Sequence, residues 1–149
     1  MSVETRAPAA GRTFETLYTE VQQFYARHMR LLDDGAAEAW AATFTADGSF
    51  KLPSADEPVR GRATLAAGVA RSAAALAEAG EQHRHVLTMV EVSPREDGSL
   101  GVRSYAQIIA TPRGGQPRLH LMCVCSDVLV YEDGELRVRE RVVTRDGDA

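Results

Sequence analysis

The residues of this chain with chemistry to offer are His28, Asp33, His85 and Asp127. His28 falls within an apolar stripe of helical spacing made by Phe14, Leu17, Val21, Phe24, Tyr25, Leu31 and Leu32. His85 shares a strand face with His83, Leu87 and Met89, and Asp127 shares one with Leu121, Cys123, Cys125 and Leu129. A polar group left unpaired in such company costs ~1–3 kcal/mol, so convergence on one cavity points to use. Imidazole exchanges protons near neutral pH. A carboxyl among apolar neighbours must be hydrogen-bonded or carry a raised pKa. The chemistry that fits is proton transfer next to a carbonyl. One imidazole or carboxylate takes the proton, and a protonated Asp127 or a histidine N–H holds the enolate oxygen. Asp33 stands about 140° around an ideal helix from His28, off the core face, as a helix-end carboxylate beside Asp34 and Gly35.

These residues need elements to position them. A first helix is expected from Thr13, as its cap, to Asp33. A break at Asp34-Gly35 leads into a short helix over 36–44, anchored by Trp40, and Thr45-Ala46-Asp47-Gly48 reads as a turn before a strand near Phe50. The polar stretch SADEPVRGRA after Pro53 reads as a loop. A third, alanine-rich helix is expected over 62–79, with Leu65, Val69, Ala73 and Leu76 as its stripe and Gly80 ending it. Strands are expected over 85–92, 101–111, 119–131 and 136–144, joined by turns at Asp97-Gly98, PRGGQP and Glu132-Asp133-Gly134. Helices first and strands after imply an α+β fold: three N-terminal helices in the concave face of a curved, mostly antiparallel sheet, a cone with one apolar cavity. Residues 1–12 read as a disordered tail and 13–146 as a single domain. The cavity is expected between the first helix, the third helix and the sheet. Its substrate-binding set is Tyr25, Trp40, Phe50, Leu87, Met89 and Tyr105, although Tyr105 can point either way.

Composition narrows the partners. The 149 residues are 44% hydrophobic and 26% charged, with a formal net charge of −4, which argues against a nucleic-acid partner. No apolar run reaches the ~18 residues of a membrane span, and the first residues lack the apolar segment of a signal peptide. The expectation is a cytoplasmic protein with no membrane partner, whose Cys123 and Cys125 are reduced core thiols. No Gly-rich phosphate loop, CxxC, HExxH or Ser-His-Asp arrangement is visible, and His28, His85 and Asp127 lack a metal-site spacing. No cofactor and no metal are expected. Met122, Val124, Val128 and Val130 make the second face of their strand apolar too, which implies a homodimer through the outer face of the sheet. His120 lies on that second face, towards solvent or a partner subunit. His83, at the mouth of its strand, is expected to be solvated.

The segments FYARHMRLLDDGAAEAWAATFTADGSF and SDVLVYEDGELRVR, in this order of elements, resemble the nuclear transport factor 2-like superfamily, and within it the SnoaL-like proteins that include polyketide tailoring enzymes. The resemblance spans about residues 13–146. It implies that His28 stands where ketosteroid isomerase has its oxyanion-stabilising tyrosine, and Asp127 where that enzyme has a hydrogen-bond-donating aspartate. Its general base would fall at Leu52, which cannot take a proton. Against scytalone dehydratase, Asp33 matches a helix-end aspartate and His85 a strand histidine. In the last strand simple alternation buries Glu140 and exposes the arginines, whereas the resemblance turns Arg139, Arg141 and Val143 towards the pocket. The implied function is a cofactor-free acid/base enzyme on a small apolar oxygenated metabolite, an aromatic polyketide intermediate, by cyclisation, dehydration or isomerisation. The alternatives are a non-catalytic ligand-binding or accessory subunit and an epoxide hydrolase.

Overall fold

The structure is a computed structural model that describes residues 11–148. Helix α1 spans Phe14–Asp33, and Thr13 caps it by accepting from the Thr16 N–H at 3.1 Å. Leu17, Val21, Tyr25 and His28 give it a buried face at helical spacing. Helix α2 (Ala37–Ala41) is shorter than expected, because β1 (Phe44–Lys51) begins at Phe44. The expected turn at Thr45-Ala46-Asp47-Gly48 lies inside β1. It appears there as an irregularity, since Phe44 pairs with Val138 and Ser49 with Glu140. The turn-forming residues absorb that bulge rather than ending the strand. The polar loop after Pro53 contains the two-residue strand β2 (Val59–Arg60), paired with β1. Helix α3 (Arg62–Ala79) ends at Gly80 in the left-handed conformation.

Strands β3 (Glu81–Pro94), β4 (Leu100–Pro112), β5 (Arg118–Glu132) and β6 (Glu135–Arg145) form an antiparallel meander. The six strands run in the order β2-β1-β6-β5-β4-β3, with β1 parallel to β6. The sheet is therefore mixed and open, with β2 and β3 as its edges. The core joins Leu17, Val21 and Tyr25 of α1 to Trp40, Phe44, Leu65, Leu100, Val102, Leu129 and Val138.

The tail expectation falls mostly on residues 1–10, outside the described residues. Arg12, however, is held: its guanidinium pairs with Glu20 at 3.0 Å and lies 4.2 Å over the Tyr131 ring. Two bulges redirect side chains that simple alternation places otherwise. Met89 adopts φ 54 at the irregularity between Thr88 and Glu91. Arg139 is the extra residue of β6, since Val128 pairs with Glu140 and Leu129 with Val138. No helix among the described residues is long and apolar enough to cross a membrane.

The break between α1 and α2 is a tight packing point. Gly35 has φ 70, and a Cβ there would stand 3.0 Å from the Ala73 Cβ of α3. Gly114 has φ 73 with open space around it. Both Gly→Ala changes carry the ~1–2 kcal/mol backbone cost of the left-handed region. Gly35→Ala should lose more than Gly114→Ala in urea denaturation, because only it also pushes two helices apart.

Candidate active site

At the floor of the concave face sits a buried ion pair. Asp127 and Arg141 are direct cross-strand partners on β5 and β6. Arg141 donates from Nε to Oδ1 and from Nη2 to Oδ2, both at 2.9 Å. Tyr25 donates to Oδ2 at 2.8 Å and the Cys125 thiol to Oδ1 at 3.3 Å. Both carboxylate oxygens are acceptors, so Asp127 does not act as the expected hydrogen-bond donor to an enolate. Burial, and then the Asp127 charge, push the Tyr25 hydroxyl well above its usual pKa, and the same causes in the same order raise the Cys125 thiol. Burial works against the Arg141 charge, but the facing Asp127 outweighs it and the guanidinium pKa is raised. The Arg139 bulge decides the question left open by alternation: Val138 and Arg141 face inward, and Glu140 is exposed.

His28 belongs to the core and lines none of the cavities. Its ring stacks against Phe24 and Trp40, with centroids 5.3 and 5.6 Å away. Thr43 spends its one hydroxyl proton on the Trp40 carbonyl at 2.5 Å, so His28 Nδ1 donates to Thr43 Oγ1 at 2.7 Å and Nε2 is left bare. Nε2 is buried without a partner. Burial first, and the Arg141 charge second, lower the His28 pKa well below the usual value. The expected role of His28 at the pocket is thus corrected: it is a neutral core residue.

Asp33 and His85 are brought together. Asp33 is the last residue of α1, and its side chain is only 7% exposed. Its Oδ1 lies 2.7 Å from His85 Nδ1, and both of its oxygens lie 3.2 Å from the His85 backbone N–H. The helical-wheel placement off the core face is overturned, because α1 stops there and β3 runs across its end. A carboxylate only accepts, so Nδ1 carries the ring proton and Nε2 presents a lone pair. Among the described residues Nε2 has no partner.

This pair borders a cavity of about 450 Å³ between the end of α1, α3 and the sheet, lined among others by Trp40, Phe50, Leu65, Val69, Leu76 and His83. A smaller cavity of about 190 Å³ adjoins it, sharing Leu32, Phe50, Leu52 and His85, and extends over Leu87, Ala106, Cys123 and Arg141. Of the expected substrate-binding set, Trp40 and Phe50 line the first and Phe50 and Leu87 the second. Tyr25 borders only a groove between α1 and β3. Met89 and Tyr105 are corrected: they are 74% and 46% exposed and line neither cavity. The bulge turns Met89 outward, and Tyr105 stands on the outer face opposite Val124. His83 is paired with Glu81 at 3.1 Å rather than solvated, and His120, exposed, packs its ring 5.2 Å from that of His83. Sequence reasoning missed Arg145, which lines the smaller cavity. Counting on from Arg141 by twos reaches it, once the bulge is placed.

The buried charges carry two expectations for stability. Arg141→Met strands the Asp127 carboxylate and should cost about 3–5 kcal/mol, of which the double variant with Asp127→Asn recovers part; chemical denaturation measures both. His28 binds its proton less readily folded than unfolded. Its contribution is therefore present above the unfolded value of about 6.5 and lost as pH falls below it. The melting-temperature gap between the wild type and His28→Gln should shrink from pH 7 to pH 5, since glutamine does not titrate.

Comparison with known proteins agrees with this architecture. A model described as a SnoaL-like domain matches residues 16–142. Aln2 from a Streptomyces species is similar at 35% identity and a TM-score of 0.82, covering 95% of each chain. ActVI-ORFA from Streptomyces coelicolor is similar at 32% identity and a TM-score of 0.83, covering 89% of this chain and 97% of its own. A Catenulispora acidiphila protein in complex with S-DNPA is similar at 34% identity and a TM-score of 0.76, covering 89% of this chain and 95% of that one. No curated protein matches the chain by sequence. An NTF2-like protein from Novosphingobium aromaticivorans, 23% identical with a TM-score of 0.76 over 89% of this chain and 84% of its own, shares the fold. The bulged six-stranded sheet, the helices in its concave face and the match along the chain give one conclusion: the protein belongs to the SnoaL-like family, on an NTF2-like fold.

Proposed function

We propose that the protein is a cofactor-free acid/base enzyme acting on a small, mostly apolar, oxygenated metabolite of the aromatic polyketide type. The observation that carries this is the 2.7 Å contact between Asp33 Oδ1 and His85 Nδ1 at the wall of an apolar cavity. His85 is the base. Its Nε2 takes a proton from the carbon next to a carbonyl, the C–H bond breaks, and the electron pair moves onto the carbonyl oxygen as an enolate. The protonated ring then returns the proton, either to a departing hydroxyl, giving water, or to another carbon. Asp33 is a positioning residue: it fixes the ring's orientation and holds the tautomer with Nε2 bare. Apolar walls exclude water and strengthen both effects. The residues that line the two cavities contain no carboxylate other than that of Asp33, which is committed to His85. That argues against an epoxide hydrolase, which needs a carboxylate free to activate water.

Membership of the SnoaL-like family supports the substrate class. The accessory-subunit reading finds fold-level company in dioxygenase beta subunits, at 18% and 21% identity. One experiment separates the two. His85→Gln and Asp33→Asn should each lower turnover of a polyketide intermediate by ~10²-fold or more with binding largely kept. His28→Gln should lower stability and leave turnover per folded molecule near that of the wild type. Loss of affinity in step with activity in both cavity variants would favour the binding module.

A further inference from the structure

We infer that the smaller cavity is an anion subsite, in which Arg145 takes the carboxylate of a ligand whose apolar body lies in the larger cavity. This deepens the proposed function by naming the substrate as an acid, and it rests on that reading for which ligand is transformed. Two guanidinium groups line the smaller cavity, Arg141 and Arg145, and no Asp or Glu does. The charge of Arg141 is already met by the bidentate contact with Asp127. That of Arg145 is not. Among the described residues Arg145 forms no ion pair, and its Nε is buried without a hydrogen-bond partner.

A buried guanidinium N–H without an acceptor is costly, and in this cavity nothing of the protein supplies one. Apart from Ser54, His85 and the thiols of Cys123 and Cys125, the remaining walls, Met29, Leu32, Phe50, Leu121 and Val143 among them, are apolar. The Cys123 thiol beside Arg145 does not compete as an anion, since burial raises its pKa. The occupant that fits is therefore one flat anionic group on an apolar skeleton. A carboxylate matches the planar fork of arginine better than a point charge would match it. His85 borders both cavities, so a ligand anchored at Arg145 passes the His85 side chain on its way into the larger one.

The test uses the full chain and two probes of nearly equal shape, 1-naphthylacetate and 1-naphthylacetamide, with binding followed by calorimetry. The acid should bind at least ~10-fold more tightly than the amide. Arg145→Gln should remove that preference while affinity for the amide stays within about threefold, and Arg145→Lys should restore part of it. In the wild type, the Arg145 Nε–H resonance should shift with the acid and not with the amide, which needs no variant to fold. Equal binding of the two probes, no binding of either, or an unchanged preference in Arg145→Gln overturns the subsite. The acid preference should persist in His85→Gln. A protein that keeps the preference but turns over no polyketide acid retains the subsite and loses the catalytic reading.

Discussion

A guanidinium cannot rest in an apolar core unless a carboxylate meets it there, and the Arg141–Asp127 pair is the contact around which this fold is arranged. Both side chains are almost fully buried, at 2% and 0% exposure. Facing them across β5 and β6 fixes the register of those strands, and the bulge at Arg139 is what turns Arg141 inward. The Tyr25 hydroxyl ties α1 to the same carboxylate. The Arg141 charge, added to burial, keeps His28 neutral among its aromatic neighbours. Floor, helix and core histidine thus share one electrostatic centre.

At the rim, the chemistry is set by where α1 ends. The Asp34-Gly35 break stops the helix with Asp33 beside the edge strand β3, and a single carboxylate there holds both the backbone and the ring of His85. The two central histidines are thereby assigned opposite work. His28 donates from Nδ1 to Thr43 and is sealed in, whereas His85 is held at Nδ1, keeps Nε2 without a partner among the described residues and borders a cavity. A site built this way combines a rigid, ion-paired floor with a base at the end of a helix. That order of support is what proton transfer requires, since the base must keep its orientation while the bound molecule changes charge.

Much of the architecture is legible in the sequence, because periodicity reports burial directly. The apolar stripe of α1, the left-handed glycine ending α3 and the four alternating runs of the meander appear where their patterns place them, within a few residues. What stays hidden lies at the irregularities. Alternation cannot see a bulge, so it places Met89 inside, sets Glu140 against Arg141 and leaves the Thr45–Gly48 stretch to read as a turn. The wheel argument sets Asp33 apart from the core, because a helical wheel knows nothing of a strand crossing the helix end. Asp127 on an apolar face does show in the sequence as a group needing a partner. That the partner is an arginine two strand positions beyond a bulge cannot be read from spacing.

The claim on which the rest of the functional account turns is that Asp33 holds His85 with Nδ1 protonated and Nε2 bare. Nitrogen-15 NMR of the imidazole rings, in the wild type and in Asp33→Asn, reads that directly. The account predicts that neutral His85 in the wild type carries its proton on Nδ1, with its Nε2 signal that of an unprotonated nitrogen, and that Asp33→Asn shifts the ring towards a mixture of tautomers. A His85 protonated on Nε2, or one whose tautomer is unchanged when Asp33 is replaced, would contradict it.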